Sequence, residues 1–301
     1  MPDFKETSAK TRYDASVAHL HRFLGAGVSH ACDGPVTLIY QANSYRDTEI
    51  SILLKSLTRI RIEMIKWCRA NAIHMQSPDA NVIIGLIPTK KDYEKYLEIE
   101  MLSGLSGSLG LTHPVRLASI VLTDKTELKS FEPVVIATHE MIHQMTLVSG
   151  LCPGWDSWPR WLHEGIAMLG DHSASNDAGK NPRSQSFLEV PGFGTVNNGR
   201  AQAWKKIAGG FEMKSFLRRD LLKNPLSHSA DYAACWALTD GLARWKNGVI
   251  LADLIAFLAI QEMQPEPATS IEIVAADWLI NHLSIEWPEF MKSIQYTVRQ
   301  S

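Results

Sequence analysis

Residues 134–150 read VVIATHEMIHQMTLVSG, two histidines and a glutamate inside an otherwise apolar run. Pro133 suits a first helical turn, where its missing N–H costs nothing, and Gly150 and Pro153 suit a stop. The pattern predicts a helix over 132–148. Val134, Val135, Ile136, Ala137, Met141, Ile142 and Met145 put apolar surface on most of its sides, so a solvated polar face is excluded. His139, Glu140 and His143 therefore need partners, because a buried polar group without one destabilises the fold.

HEMIH (139–143) has the form His-Glu-x-x-His. Residues four apart share a helix face, so both imidazoles can reach one cation, and Glu140 can face a water on it. A catalytic zinc needs a third protein ligand and an open position. In the metzincin pattern a Gly and a His follow the second histidine by three and six residues. Here those positions are Thr146 and Ser149, which excludes that class. The other common ligand is a glutamate on a following helix. WLHEGIA (161–167) offers Glu164, with 20 residues between it and His143. A short helix–loop–helix would set this helix antiparallel to the HEMIH helix with Glu164 beside the histidine pair, and Gly165 would let those two helices approach closely. His163, adjacent to Glu164, points elsewhere and reads as a surface or supporting residue. Asp171 and His172 lie about two turns further on, past the metal.

HEMIHQMTLVSG together with PRWLHEGIA resembles the gluzincin metallopeptidases, closest to the peptidase MA-like bacterial families. Aminopeptidase N relatives share His143-Gln144 and Trp161-Leu162-x-Glu164-Gly165-x-Ala167. This chain has a longer spacer than they do, and no Gly-x-Met-Glu-Asn stretch. The resemblance implies a zincin-like fold, Zn2+ on His139, His143 and Glu164, and hydrolysis of peptide bonds by metal-bound water with Glu140 as general base. It also implies a Tyr or His from the helical half as oxyanion donor. Tyr232 in DYAACWAL is that candidate, with His228 the alternative. The expected partner is a peptide or protein substrate, gripped along the glycine-rich segment Ser106–Leu111. A catalytically weak, peptide-binding pseudo-peptidase that keeps the zinc is the alternative reading. A purely structural zinc would call for a fourth protein ligand.

The rest of the chain supplies the frame. PVTLIYQA (35–42), NVIIGLIP (81–88) and VRLASIVLTD (115–124) read as strands. Helices are expected over 13–24, over 46–70 with an apolar residue every three or four positions, and over 92–100. Ser157 reads as the cap of a helix through WPRWLHEGIAMLG. Residues 173–200, rich in Ser, Asn, Gly and Pro, read as a long loop. From Ala201 onward the pattern is helical. The expected class is α+β: an N-terminal helical extension (1–33), a subdomain with a small mixed sheet and both motif helices (34–172), and a helical C-terminal subdomain (173–301).

The bulk figures suit that picture. The chain has 301 residues, 45% hydrophobic and 21% charged, with a formal net charge of −2. No basic run marks nucleic acid or an anionic membrane as a partner. No signal peptide is recognised, and VILADLIAFLAI (249–260) is too short to span a bilayer. The four cysteines are scattered without a CxxC pair, as reduced thiols are. A cytoplasmic location is the expectation.

Overall fold

The computed structural model describes residues 9–124, 126–127, 133–170, 193–194, 197–219, 229–261 and 270–297. Its class is α+β, with a five-stranded mixed sheet and a helical C-terminal region. Two compact units divide the chain: 1–62 with 77–149, and 63–76 with 150–172 and 192–301, as far as these are described.

The first unit holds α1 (Ala9–Leu24), β1 (Val28–Asp33), β2 (Val36–Gln41), the start of α2 (Asp47–Ala70), β3 (Val82–Ile87), α3 (Lys90–Ile99), β4 (Gly110–His113), β5 (Ala118–Leu122) and α4 (Pro133–Val148). The sheet order is β1-β2-β3-β5-β4. β2, β3 and β5 run parallel, and an antiparallel strand sits at each edge. Every residue of β3 and β5 is buried, as expected of parallel strands covered on both faces. Strand alternation sorts the side chains. Ile83, Ile87, Ala118, Ile120 and Leu122 pack with Leu20 and Leu24 of α1 and Tyr93, Tyr96 and Leu97 of α3. Ser119 of β5 and Thr112 of β4 point the other way, toward α4.

The strands expected in 35–42, 81–88 and 115–124 are present as β2, β3 and β5, and the four N-terminal helices expected are α1 to α4. β1 and β4 are additions. β1 has no buried residue and its sequence, VSHACD, carries no apolar alternation. It pairs with β2 through a tight turn in which Gly34 takes φ +57°.

The second unit holds the end of α2, α5 (Arg160–Met168), α6 (Asn198–Ile207), α7 (Met213–Leu217), α8 (Ser229–Arg244), α9 (Val249–Gln261), α10 (Ile271–Leu283) and α11 (Trp287–Thr297). α8 packs against α5, α6, α9 and α11. Ser157 is not the cap of α5: it closes a 3-10 turn, Trp155–Ser157, and Pro159 precedes the first helical residue. The intervening Trp158-Pro159 pair is extended, because a residue before proline is pushed out of the helical region. All four cysteines are free, and Cys68 and Cys235 are buried. Among the described residues no helix is long and apolar enough to cross a membrane.

One charged cluster ties α1, α3 and the β4–β5 hairpin together. Glu100 accepts from Arg116 Nε at 2.7 Å and Nη2 at 3.0 Å, and faces His19 Nε2 at 3.0 Å and His113 Nε2 at 3.2 Å. Burial alone would raise the Glu100 carboxyl, but the Arg116 hydrogen bonds and charge outweigh it and hold it below its ordinary range. Burial, then the Arg116 charge, lowers both imidazoles below their ordinary value of 6.5 despite the Glu100 charge. All three folded-state values lie below the unfolded ones, so the unfolded chain binds more protons as the pH falls. Stability from this cluster is therefore complete above about pH 6.5 and declines on acidification. Urea unfolding at pH 7.5, 6 and 5 should show the midpoint falling, with a shallower fall in His113→Gln. An equal fall in both proteins would remove His113 from the account.

Candidate metal centre

α4 is buried at all but three of its sixteen positions. On it, His139 and His143 turn their Nε2 atoms toward one another, 3.0 Å apart, with the rings edge-to-face at 4.6 Å. His143 is buried and His139 half-buried. The i, i+4 spacing thus brings the two imidazoles to one point, as expected of residues sharing a helix face.

Glu140 lies on the sheet side of the same helix. Thr112 Oγ1 lies 2.9 Å from its Oε2 and 2.8 Å from its backbone carbonyl. Ser119 Oγ lies 3.0 Å from that carbonyl and 3.0 Å from Thr112 Oγ1. One turn further on, Gln144 spans to the sheet. Its Oε1 accepts from Ile83 N–H at 3.1 Å, and its Nε2 donates to the Leu117 carbonyl. Gly110, two residues before Thr112, faces Glu140 from β4. A Cβ there would lie 2.7 Å from Glu140 Cγ and 2.9 Å from Oε1. Tyr93 stands nearby: its phenol bonds Ser108 Oγ at 2.9 Å, and its pKa is raised by burial and also by the Glu140 charge.

Of these supporting residues, Tyr93, Thr112 and Ser119 have no counterpart among the sequence-based candidates. The signal available for them was the small polar pair Thr112 and Ser119 on neighbouring strands, facing the same way as the apolar helix. In the segment Ser106–Leu111, the expected grip for a peptide, residues 106–109 are turn, bend and irregular chain, and the strand begins at Gly110.

In the second unit, Glu164 is buried on α5, with Arg160 Nε 3.6 Å from its Oε1 one turn back. His163 is buried rather than at the surface. Its Nε2 donates to the Trp155 carbonyl at 2.9 Å, and the ring stacks on Trp155 at 4.7 Å. His163 therefore fastens the 155–158 segment to α5. Gly165 permits a close approach to α8: a Cβ would lie 1.9 Å from Thr239 Oγ1 and 2.7 Å from the Cys235 carbonyl. Tyr232 sits half-buried in the first turn of α8 with the Arg200 guanidinium over its ring at 5.4 Å. Burial, and next the Glu164 charge, raises its pKa. His228, Asp171, His172 and most of 173–200 lie outside the described residues.

Residues 133–262 match a family described as "Protein of unknown function (DUF1570)". That match takes in both motif stretches and Tyr232. A comparison with curated proteins finds no match.

Two substitutions test how the helices are seated. Thr112→Val removes a buried donor and leaves the Glu140 carboxylate less satisfied, so it should cost about 1–3 kcal/mol in urea unfolding, with Thr112→Ser recovering most of the loss. Gly165→Ala should cost about 1–3 kcal/mol or more, because the methyl group meets α8 backbone that cannot rotate away. Unchanged midpoints would contradict the packing described.

Proposed function

We propose that this chain is a zinc-dependent peptidase of the gluzincin kind, with His139, His143 and Glu164 as metal ligands and Glu140 as general base. The observation that carries this reading is the 3.0 Å separation of the two Nε2 atoms on α4. Two imidazoles on one tetrahedral zinc, each at about 2.0–2.1 Å, stand about 3.3 Å apart. The donor set fits the metal. His139 and His143 would each offer an imidazole nitrogen and Glu164 a carboxylate oxygen, the donor types zinc takes. Two imidazoles and a carboxylate are the donors of an open, catalytic zinc site.

A bound zinc would supply Lewis-acid polarisation of the scissile carbonyl and acidify a water. The chain's own groups do the rest. Glu140 takes a proton from the attacking water and delivers it to the leaving amine. Thr112 Oγ1 engages Oε2 and so holds the carboxylate in place on the sheet side of the helix. β4 ends the sheet among the described residues, and its free edge can pair with an extended peptide through backbone hydrogen bonds. Tyr232 keeps its proton at neutral pH, since burial and the Glu164 charge raise its pKa, and so can donate to the oxyanion.

Metal analysis with a peptide-library digest tests the proposal. The metal-replete protein should hold one zinc and cleave peptides. Glu140→Gln should keep the zinc and lose turnover by on the order of 10²–10⁴. Glu164→Ala should release zinc whereas His163→Ala should not. Tyr232→Phe should slow turnover roughly a hundredfold to a thousandfold with little change in melting temperature. Absence of stoichiometric divalent metal would refute the metal centre. Full zinc occupancy without cleavage of any peptide would favour a binding protein that retains the site.

A further inference from the structure

The first unit contains a cavity of about 490 Å³, within the roughly 300–1,000 Å³ that small-molecule sites occupy. It is bounded by the first turns of α1, the residues leading into β3, the turn between β4 and β5, and the last turn of α4. Its apolar lining is Ile83, Leu117, Leu147 and Val148, of which the last three are only half-buried. Apolar side chains left partly exposed inside a concavity favour an apolar guest.

The polar lining selects the other end of that guest. Arg116 is already held by Glu100, and Asp79 faces Arg61 at 3.6 Å. Lys10 and Arg12, also on the wall, make no hydrogen bond or ion pair with the described residues, and Arg12 Nε is buried with no acceptor. A buried donor without an acceptor is costly. The planar edge of a guanidinium, with its parallel N–H groups, matches a carboxylate. Asp14 and Asp79 on the same wall would repel a multiply charged anion such as phosphate more than a singly charged one.

We propose that this cavity binds a small monocarboxylate with an apolar tail. The carboxylate sits on Arg12, assisted by Lys10, and the tail lies on Leu117, Leu147 and Val148. A free fatty acid and the carboxy terminus of a short apolar peptide share this chemistry. The site does not depend on the zinc reading. It does touch the same helix, because Gln144 binds the backbone of two wall residues, Ile83 and Leu117.

Calorimetric titration of the intact chain separates the possibilities. Octanoate and N-acetyl-leucine serve as the two carboxylate probes, with octan-1-ol and octylamine as tail-matched controls. The tighter of the two carboxylates identifies the source. Octanoate should bind at least tenfold more tightly than either control. Arg12→Met should abolish that advantage, and Lys55→Met, an exposed control, should retain it. No binding of either carboxylate, or octan-1-ol binding as well as octanoate, would overturn the proposal. So would an Arg12→Met protein that binds octanoate normally. Should Arg12→Met fail to fold, the probe series on the unaltered protein decides alone.

Discussion

A helix buried on nearly every side needs partners for its larger polar side chains, and α4 gives Glu140 and Gln144 theirs by docking on the sheet. Thr112 and Ser119 reach the Glu140 carbonyl, Thr112 also reaches the Glu140 carboxylate, and Gln144 takes one N–H and one C=O from the sheet backbone. Each bond contributes only about 1 kcal/mol net, but leaving any of these groups unpaired costs more. The seam therefore acts more on specificity than on strength: rotate α4 and several buried polar groups lose their partners together. That constraint fixes which way the two histidines face.

The same seam separates the duties of neighbouring residues. Glu140 and Gln144 share the sheet-facing side, four positions apart, and His139 and His143 precede each of them by one. A step of one residue turns the helix by about 100°. The anchoring pair and the imidazole pair thus occupy adjacent faces of one rigid element. Glu140 belongs to both: its backbone is part of the anchor, and its carboxylate is held by Thr112 against the gap at Gly110. On the proposed reading, the proton acceptor is positioned by the fold itself.

Much of this was legible in the sequence because it follows from periodicity. Long apolar patterns marked α2 and α4, and β-branched runs marked β2, β3 and β5. His-Glu-x-x-His is readable because helix geometry converts spacing into proximity. The unread parts depend on partners distant in sequence. β1 and β4 are short edge strands whose composition does not demand burial, so only their pairing with β2 and β5 defines them. Thr112 looks like any strand threonine until Glu140, 28 residues later, is placed beside it. Ser157 resembled a helix cap, but the proline two residues on moved the helix start past it.

Gly165 shows how a residue can be read correctly in kind and yet have a different consequence. Its lack of a side chain does permit close helix packing, and the helix it admits is α8. Thr239 and the Cys235 carbonyl occupy the space where a Cβ would be. α5 and α8 are consequently locked at short range, and each carries a polar side chain: Glu164 immediately before the glycine, and Tyr232 in the first turn of α8. The Glu164 charge already bears on the Tyr232 phenol. A methyl group at 165 would spread that pair as well as loosen the helices. The glycine in WLHEGIA thus holds the carboxylate and the phenol in one rigid piece, as Gly110 leaves room for Glu140 in the other unit.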